Sequence, residues 1–249
     1  MVFRPRLVPT LFTVPTLIIL VALGTWQAQR LAWKSDLLAR IDQQLAQPAA
    51  QLPANLTDAA QWDYRRVTVT GALLAETELA IASRVLNGRV GWHLVSPLVR
   101  ADGSAVLVNR GWVPDGQHRA TAERAAEIPE TVTITAVARV PEEAGWLAPQ
   151  NDPSGNVWLT VDLRAMEAAA GLDRNTAAPL LLYLSTIMSA DGQSIISDQP
   201  IPDQVRVDIP NNHLHYMLTW YGLAVVLLGV YIAYHWRRPG GPNGSRDVA

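Results

Sequence analysis

The chain has 249 residues, a formal net charge of −2 at pH 7 and no cysteine. The lack of cysteine excludes disulfides, thiolate metal sites, iron–sulfur clusters and Cys nucleophiles. With this charge and no dense Lys/Arg cluster, the chain also lacks the basic footprint of a nucleic-acid-binding protein.

Two long segments without a charged residue, with His taken as neutral, lie near the ends of the chain. They cover residues 7–29 and 209–236, and each exceeds the roughly 20 residues that a helix needs to cross a bilayer. We therefore predict two transmembrane helices with one soluble domain between them. The predicted divisions are an N-terminal span with a helical stem at 1–46, a β-rich domain at 47–208, a second span at 209–238 and a tail at 239–249.

The first segment has an alternative interpretation as a cleaved signal peptide. Arg4 and Arg6 precede it, and residues 22–24 are small enough for a cleavage site. Aromatic and cationic side chains follow, however, as is typical of an anchor at the membrane surface. These residues are Trp26, Arg30, Trp33 and Lys34. We therefore predict that the helix is retained.

The orientation follows from the cations beside the second span. Arg237 and Arg238 come directly after it, and such residues are enriched on the cytoplasmic side. With two spans, both termini share that side. We predict a two-pass protein of the inner membrane with both termini cytoplasmic and the central domain in the periplasm.

The central domain reads as a series of short strands. Apolar and polar residues alternate, as in half-buried strands, at 66–70, 78–85, 92–99, 105–113, 131–140, 156–161 and 180–187. Asp102-Gly103 and Asp115-Gly116 are hairpin signals. One short helix is predicted between Asp162, as its cap, and Gly171 at its end. The predicted fold class is an α+β membrane protein in which the two transmembrane helices flank a mainly antiparallel β barrel or sandwich.

The soluble part contains no motif for a serine nucleophile, a phosphate-binding loop or a dinucleotide-binding loop. The acidic pairs Glu76/Glu78 and Glu142-Glu143 are interpreted as solvated faces, and His93 and His118 as structural or solvated residues. No residue pattern in the chain therefore indicates catalysis.

Two histidines open the second span. His213 and His215 are two residues apart, which on a helix means about 200° apart, so they serve different surfaces. His213 shares its face with Met217 and Trp220. His215 shares the opposite face with small residues that predict a close helix–helix contact. These residues are Thr219, Gly222, Gly229 and Ala233.

Two interpretations of His213 stay open on the residues alone. A half-polar ring at the headgroup level needs no ligand, whereas an imidazole beside Met217 and Trp220 suits an axial ligand of a heme. In the same way, Arg30 or Lys34 either anchors the helix to lipid headgroups or meets an anion such as a heme propionate. The second option requires the two spans to be neighbours.

Five segments together resemble one family. They are GTWQAQR at 24–30 followed by Trp33-Lys34, YRRVTVTG at 64–71, VLVNRGWVP at 106–114, NVW at 156–158 and NHLHYMLTWYG at 212–222. They run in the family's order from one predicted span to the other. On these residues the chain resembles the surfeit-locus-one family of cytochrome c oxidase assembly factors.

The resemblance implies a non-enzymatic factor that acts around the insertion of heme a into oxidase subunit one. The position that matches the heme-associated histidine of bacterial relatives is His213, which is the expected axial ligand of the iron. The other expected residues of the heme a site are Met217, Trp220, Tyr216 and Arg30. The expected partners are oxidase subunit one, heme a synthase and membrane lipids.

Two other functions stay open on the sequence. A heme-independent chaperone would stabilise immature subunit one by packing the Gly222/Gly229 stripe against it. A membrane-anchored envelope enzyme would instead use a carboxylate or a histidine of the central domain, such as His93 or His118.

Overall fold

The computed structural model describes residues 2–3, 6–117, 128–142, 144–195, 200–202, 205 and 212–237. His118 therefore lies outside the described residues. The chain divides into two compact units, one formed by Met1–Arg40 with Asp208–Ala249 and the other by Ile41–Val207. The first unit carries the apolar helices, and the second carries the β domain.

Ten strands and three α-helices make up the described chain. In chain order they are β1 (Val2–Phe3), α1 (Leu7–Ala46), β2 (Ala50–Gln51), β3 (Arg66–Leu73), β4 (Leu79–Leu86), β5 (Arg89–Val99), β6 (Ala105–Pro114), β7 (Val132–Arg139), β8 (Val157–Trp158), α2 (Leu163–Ala169), β9 (Ala177–Ser189), α3 (His213–His235) and β10 (Trp236–Arg237). A short 3₁₀ helix covers Ala60–Trp62.

The two predicted apolar helices are confirmed. α1 is one helix of 40 residues, so the predicted span and stem form a single rod of about 60 Å. α3 has 23 residues. Only 6% of the most apolar stretch of each helix is buried. Most of the apolar side chains therefore face outward, as contact with lipid requires. The short strands β1 and β10 pair antiparallel through Val2 with Arg237 and Phe3 with Trp236.

The sheet of the β domain is mixed. Its eight strands lie in the order β2-β3-β7-β9-β6-β5-β4-β8, and β3 also pairs with β5. The pairings of five strands, β3-β7-β9-β6-β5, therefore form a closed circuit. The neighbours β5–β6, β4–β5, β3–β7, β7–β9 and β3–β5 are antiparallel.

The expected antiparallel pattern is incomplete, because β2–β3, β4–β8 and β6–β9 are parallel. Parallel neighbours need a long crossover connection rather than a hairpin. The chain between β6 and β9 is long and includes β7 and α2, so β9 enters beside β6 in the same direction. The alternation of residues within a strand does not show which distant strand pairs with it, so this parallel pairing was not predictable from the sequence.

The core of the β domain has two main parts. The larger part lies around β3, β7 and β9 and includes the fully buried Val67, Ile134 and Leu182. The second contains Trp158 and Met166, which pack on strands β4, β5 and β6. Trp158 is the anchor of β8, and Met166 is the residue by which α2 packs onto the sheet.

The local signals for turns and caps are largely confirmed. Gly103, with φ +82°, lies in the turn between β5 and β6. Asp162 caps α2 by accepting a hydrogen bond from the Ala165 N–H at 3.1 Å, and Gly171 follows the helix with φ +71°. The predicted strand at 156–161 is much shorter in the structure, where β8 covers only two residues. Asn156 is outside the strand because it adopts φ +53°.

Candidate functional site

α1 and α3 pack side by side in opposite directions. Side-chain hydrogen bonds connect α3 with α1 and with Arg6 just before it, and their order along α3 is the reverse of their order along α1. They are His213–Gln27 at 2.7 Å, Tyr221–Thr25 at 3.0 Å, Tyr231–Thr10 at 2.7 Å and Tyr234–Arg6 at 2.8 Å. The two spans are therefore neighbours.

Gly24 allows the closest approach between the two helices. A Cβ at this position would lie 2.7 Å from Cε1 of Tyr221, which is far inside van der Waals contact. Small residues permit such an approach in helix pairs. The glycine thus sets the separation of the helices one turn from Gln27.

The face of α3 that meets α1 is not the predicted one. Ala224 is buried and His213 is partly buried on the contacting face. His215 is exposed, and a Cβ added at Gly222 or Gly229 would have no neighbour within 4 Å. The prediction that His215 and its small-residue stripe form the helix–helix contact is therefore wrong for this chain's own helices. Hydrogen bonds between polar side chains connect the other face instead.

His213 occupies the first position of α3. Its Nδ1 lies 2.7 Å from Oε1 of Gln27, and Gln27 is only 9% exposed. A carbonyl oxygen only accepts, so Nδ1 is the donor and carries a proton. No hydrogen bond from the described residues occupies Nε2. Asn212 is at the N-cap position of α3, but its side chain makes no capping hydrogen bond.

The other predicted residues of this site differ in exposure. Met217 and Trp220 are partly buried on the face of His213. The indole N–H of Trp220 is buried and has no acceptor among the described residues. Tyr216 is 51% exposed and lies about 60° from His213 around the helix, at the edge of the same face. The structure thus brings His213, Met217 and Trp220 together and leaves Tyr216 at the edge.

Arg30 lies three residues beyond Gln27 on α1, one helical turn away. It is exposed, and its guanidinium carbon lies 4.4 Å from the centre of the Trp33 ring, a cation–π contact. No carboxylate among the residues that the structure describes forms an ion pair with it. Lys34 is 7% exposed, so of the two predicted cations only Arg30 is open to an anion from outside the chain.

The β domain contains a second polar cluster. Arg110 and Glu78 form an ion pair in which the side chains are 3% and 11% exposed, so the interpretation of Glu78 as part of a solvated face is wrong. Burial raises the pKa of Glu78, while the Arg110 guanidinium acts in the opposite direction. Asn156 joins this cluster to β8, because its amide donates to the Glu78 carbonyl at 2.8 Å and its Oδ1 accepts from Trp158 Nε1 at 3.1 Å.

His93 is part of the same domain, and its interpretation as a structural residue agrees with its contacts. Its Nδ1 lies 2.9 Å from Nδ2 of Asn109. An amide N–H only donates, so Nδ1 is the acceptor and the ring is neutral. Burial, with a smaller effect from Arg84, lowers the pKa of His93 to about 4. The cluster lies within packed strands, and the described part of the chain contains no group of three potential metal ligands.

The depressed pKa of His93 predicts loss of stability in acid. In the unfolded chain this histidine takes up its proton near pH 6.5. The contribution of its neutral, buried ring to the free energy of unfolding is therefore fully present above that pH and declines as the pH falls to about 4. We expect the free energy of unfolding to fall by about 2–3 kcal/mol more in the unaltered protein than in His93→Gln between pH 7 and pH 4. Urea titrations of both proteins in detergent measure this difference, and equal pH profiles would contradict the assignment.

The comparison with protein families matches nearly the whole chain. The model of the SURF1 family covers residues 15–225. This chain belongs to the SURF1 family. The matched range begins inside α1 and ends inside α3, so it includes Gln27, His213 and the entire β domain.

Curated relatives carry the same family name. A SURF1-like protein of Monosiga brevicollis is 30% identical over 247 residues, which are 95% of this chain and 90% of that protein. Surfeit locus protein 1 of Mus musculus is 32% identical over 216 residues, or 81% of this chain and 67% of that protein. Surfeit locus protein 1 of Homo sapiens is 31% identical over 218 residues, or 81% and 69% of the two chains. The resemblance to the surfeit-locus-one family is confirmed.

Two residues within the SURF1 segments contact His213 and His93 in the structure, and the sequence interpretation assigned no role to either of them. Gln27 was only one letter of the GTWQAQR segment, and it is the partner of His213. Asn109 was one letter of VLVNRGWVP, and it is the partner of His93. A polar residue inside an otherwise apolar helix is the signal that could have found Gln27, because such residues seek a partner in the membrane.

Proposed function

We propose that this SURF1-family chain is an assembly factor for heme–copper cytochrome c oxidase that binds heme a transiently and aids its insertion into subunit one. The observation that carries the proposal is the ring of His213, whose Nδ1 is held by Gln27 while Nε2 has no hydrogen bond from the described residues. An imidazole nitrogen with an available lone pair is a standard axial ligand of heme iron. Membership of the SURF1 family supports the oxidase-assembly part of the proposal.

The residues around His213 fit such a cargo in chemistry. Met217 and Trp220 offer apolar surface on the same helix face, and the buried Trp220 N–H is a donor that lacks an acceptor among the described residues. An acceptor on the cargo would remove the cost of that unmade hydrogen bond. Arg30 offers an exposed guanidinium to a propionate, and Tyr216 offers an exposed ring at the edge.

The position of His213 at the end of a helix fits a carrier that releases its cargo. His213 is the first residue of α3 and is only partly buried. The apolar surface that the described residues offer beside His213 comes from Met217 and Trp220 on one helix, so the apolar area that a ligand buries against them is limited. We therefore infer that the protein acts without catalysis, by holding heme a and passing it on.

We infer a two-pass protein of the inner membrane, with both termini cytoplasmic and the β domain in the periplasm. The apolar, outward-facing surfaces of α1 and α3 support the two spans, and Arg237, two residues after the end of α3, supports the orientation. The inferred partners are oxidase subunit one, heme a synthase and the surrounding lipids. In this arrangement His213 lies at the periplasmic end of the helix pair.

One observation favours a second candidate, a chaperone that stabilises immature subunit one without heme. The stripe of His215, Gly222 and Gly229 is exposed on α3 and unused by α1. Small residues on a membrane helix permit close contact with a further helix. This candidate requires no open imidazole, so the two functions are separable by experiment.

The test is the optical spectrum of the protein purified from membranes of a host that makes heme a. We expect a heme a Soret band that is lost in His213→Ala and kept in His215→Ala, the matched control two residues away. Retention of the band in His213→Ala would contradict the ligand assignment. A protein that supports oxidase assembly but carries no heme a would leave the chaperone candidate in its place.

A further inference from the structure

Gln27 is the residue that determines which nitrogen of His213 is open. The residue is only 9% exposed, which limits the access of water to its amide. Oε1 lies 2.7 Å from Nδ1 of His213. The acceptor keeps the ring proton on Nδ1, and in a neutral imidazole the lone pair then belongs to Nε2.

The helix contact holds both partners in place. Gly24 lies one turn from Gln27, and Tyr221 lies two turns from His213. The ring of Tyr221 packs against the backbone of Gly24, and its hydroxyl also hydrogen-bonds Thr25 at 3.0 Å. Gln27 is therefore fixed opposite His213 by the packing of the helices, before any ligand is present.

We propose that Gln27 is a positioning residue that holds His213 in the Nδ1–H tautomer, so that Nε2 is its only ligating nitrogen. The identity of the cargo rests on the proposed function, but the tautomer does not. Ligating histidines commonly donate their second N–H to an acceptor that fixes the ring and raises its basicity. A neutral amide fixes the tautomer but raises the basicity of the imidazole less than a carboxylate would. A weaker ligand suits a protein that must later release its cargo.

The first test measures the tautomer in the full-length, heme-free protein. The nitrogen shifts of ¹⁵N-histidine in detergent micelles distinguish Nδ1–H from Nε2–H, and the spectrum of His213→Ala assigns the signal. We expect Nδ1–H in the unaltered protein and in Gln27→Glu, whose carboxylate also accepts. Gln27→Leu is expected to lose this preference. Gln29→Leu, an exposed position on the same helix, is the matched control and should keep it.

Two results would overturn the proposal. One is an Nε2–H ring in the unaltered protein. The other is an Nε2–H ring in Gln27→Glu, because a carboxylate beside Nδ1 can only accept and would keep the proton there, so residue 27 would not be the partner of His213. Gln27→Glu keeps the size and polarity of the side chain, so this second result is obtainable even where Gln27→Leu fails to fold.

The second test measures heme a binding by titration with heme a. Loss of the acceptor behind a ligating histidine typically weakens binding about 10–100-fold, and we expect a loss in this range for Gln27→Leu and none for Gln29→Leu. Failure of the unaltered protein to bind heme a would contradict the proposed function. The tautomer measurement decides the role of Gln27 in either case, so the two failures are distinguishable.

Discussion

Arg110→Ala is expected to lower the free energy of unfolding of the β domain by about 3–5 kcal/mol, because it leaves a buried carboxylate without its counter-charge. Glu78 is 11% exposed, and burial already raises its pKa. Without the guanidinium, the folded state favours a protonated Glu78. The defect relative to the unaltered protein should therefore shrink as the pH falls, since protonation removes the unpaired charge. Urea unfolding followed by Trp fluorescence in detergent measures both effects.

The matched control is Arg139→Ala, at the other described ion pair. Arg139 and Asp63 are 22% and 31% exposed, and exposed pairs contribute only about 0–1 kcal/mol. The double variant Arg110→Met/Glu78→Leu should recover much of the lost stability, because apolar residues can replace a buried ion pair. If Arg110→Ala and Arg139→Ala were equally mild, the buried pair would not be a major determinant of the fold.

Gly111→Ala is expected to destabilise the β domain by about 2–5 kcal/mol through strain and collision together. Gly111 has φ +133°, and a Cβ there would meet the carbonyl oxygen of Ile201 and lie 2.9 Å from the Pro202 nitrogen. This approach lets Trp112 and Ile201 exchange backbone hydrogen bonds of 2.9 and 2.8 Å. We expect the variant to lose hydrogen-exchange protection at the Trp112 and Ile201 amides first.

Gly103→Ala separates the collision from the strain. Gly103 also has a positive φ, +82°, but nothing lies within 4 Å of an added Cβ. The substitution should therefore cost only about 1–2 kcal/mol and leave the Ile201 amide protected. Equal losses in the two variants would mean that backbone strain, and not the contact with Ile201, makes Gly111 necessary.

Much of the local structure was predictable because it depends on neighbours in the chain. The apolar lengths of α1 and α3, the alternation in β3 to β7, and the capping of α2 by Asp162 all follow from sequence within a few residues. The signal weakened where side chains determined the backbone. At 156–161 the side chain of Asn151 accepts from the Leu159 and Thr160 amides, which ends β8 after two residues.

The candidate site was predictable only in part. His213, Met217 and Trp220 fall on one face by helical spacing alone, and the structure keeps them there. Which surface that face meets was not predictable, because the small-residue stripe of Gly222 is also suited to helix packing. Which face of α3 meets α1 depends on the contact between Gln27 and His213. These two residues are separated by 186 positions in the chain, so local patterns do not reveal the contact.

The sequence by itself determined the two apolar helices, most strands and the SURF1 family, because each depends on composition, period or motifs of adjacent residues. Only the tertiary structure decided the parallel entry of β9 beside β6, the burial of Arg110 with Glu78 and the contact of His213 with Gln27. These features pair residues that are distant in the chain. Their energies depend on burial and on the removal of water, and neither quantity exists until the chain has folded.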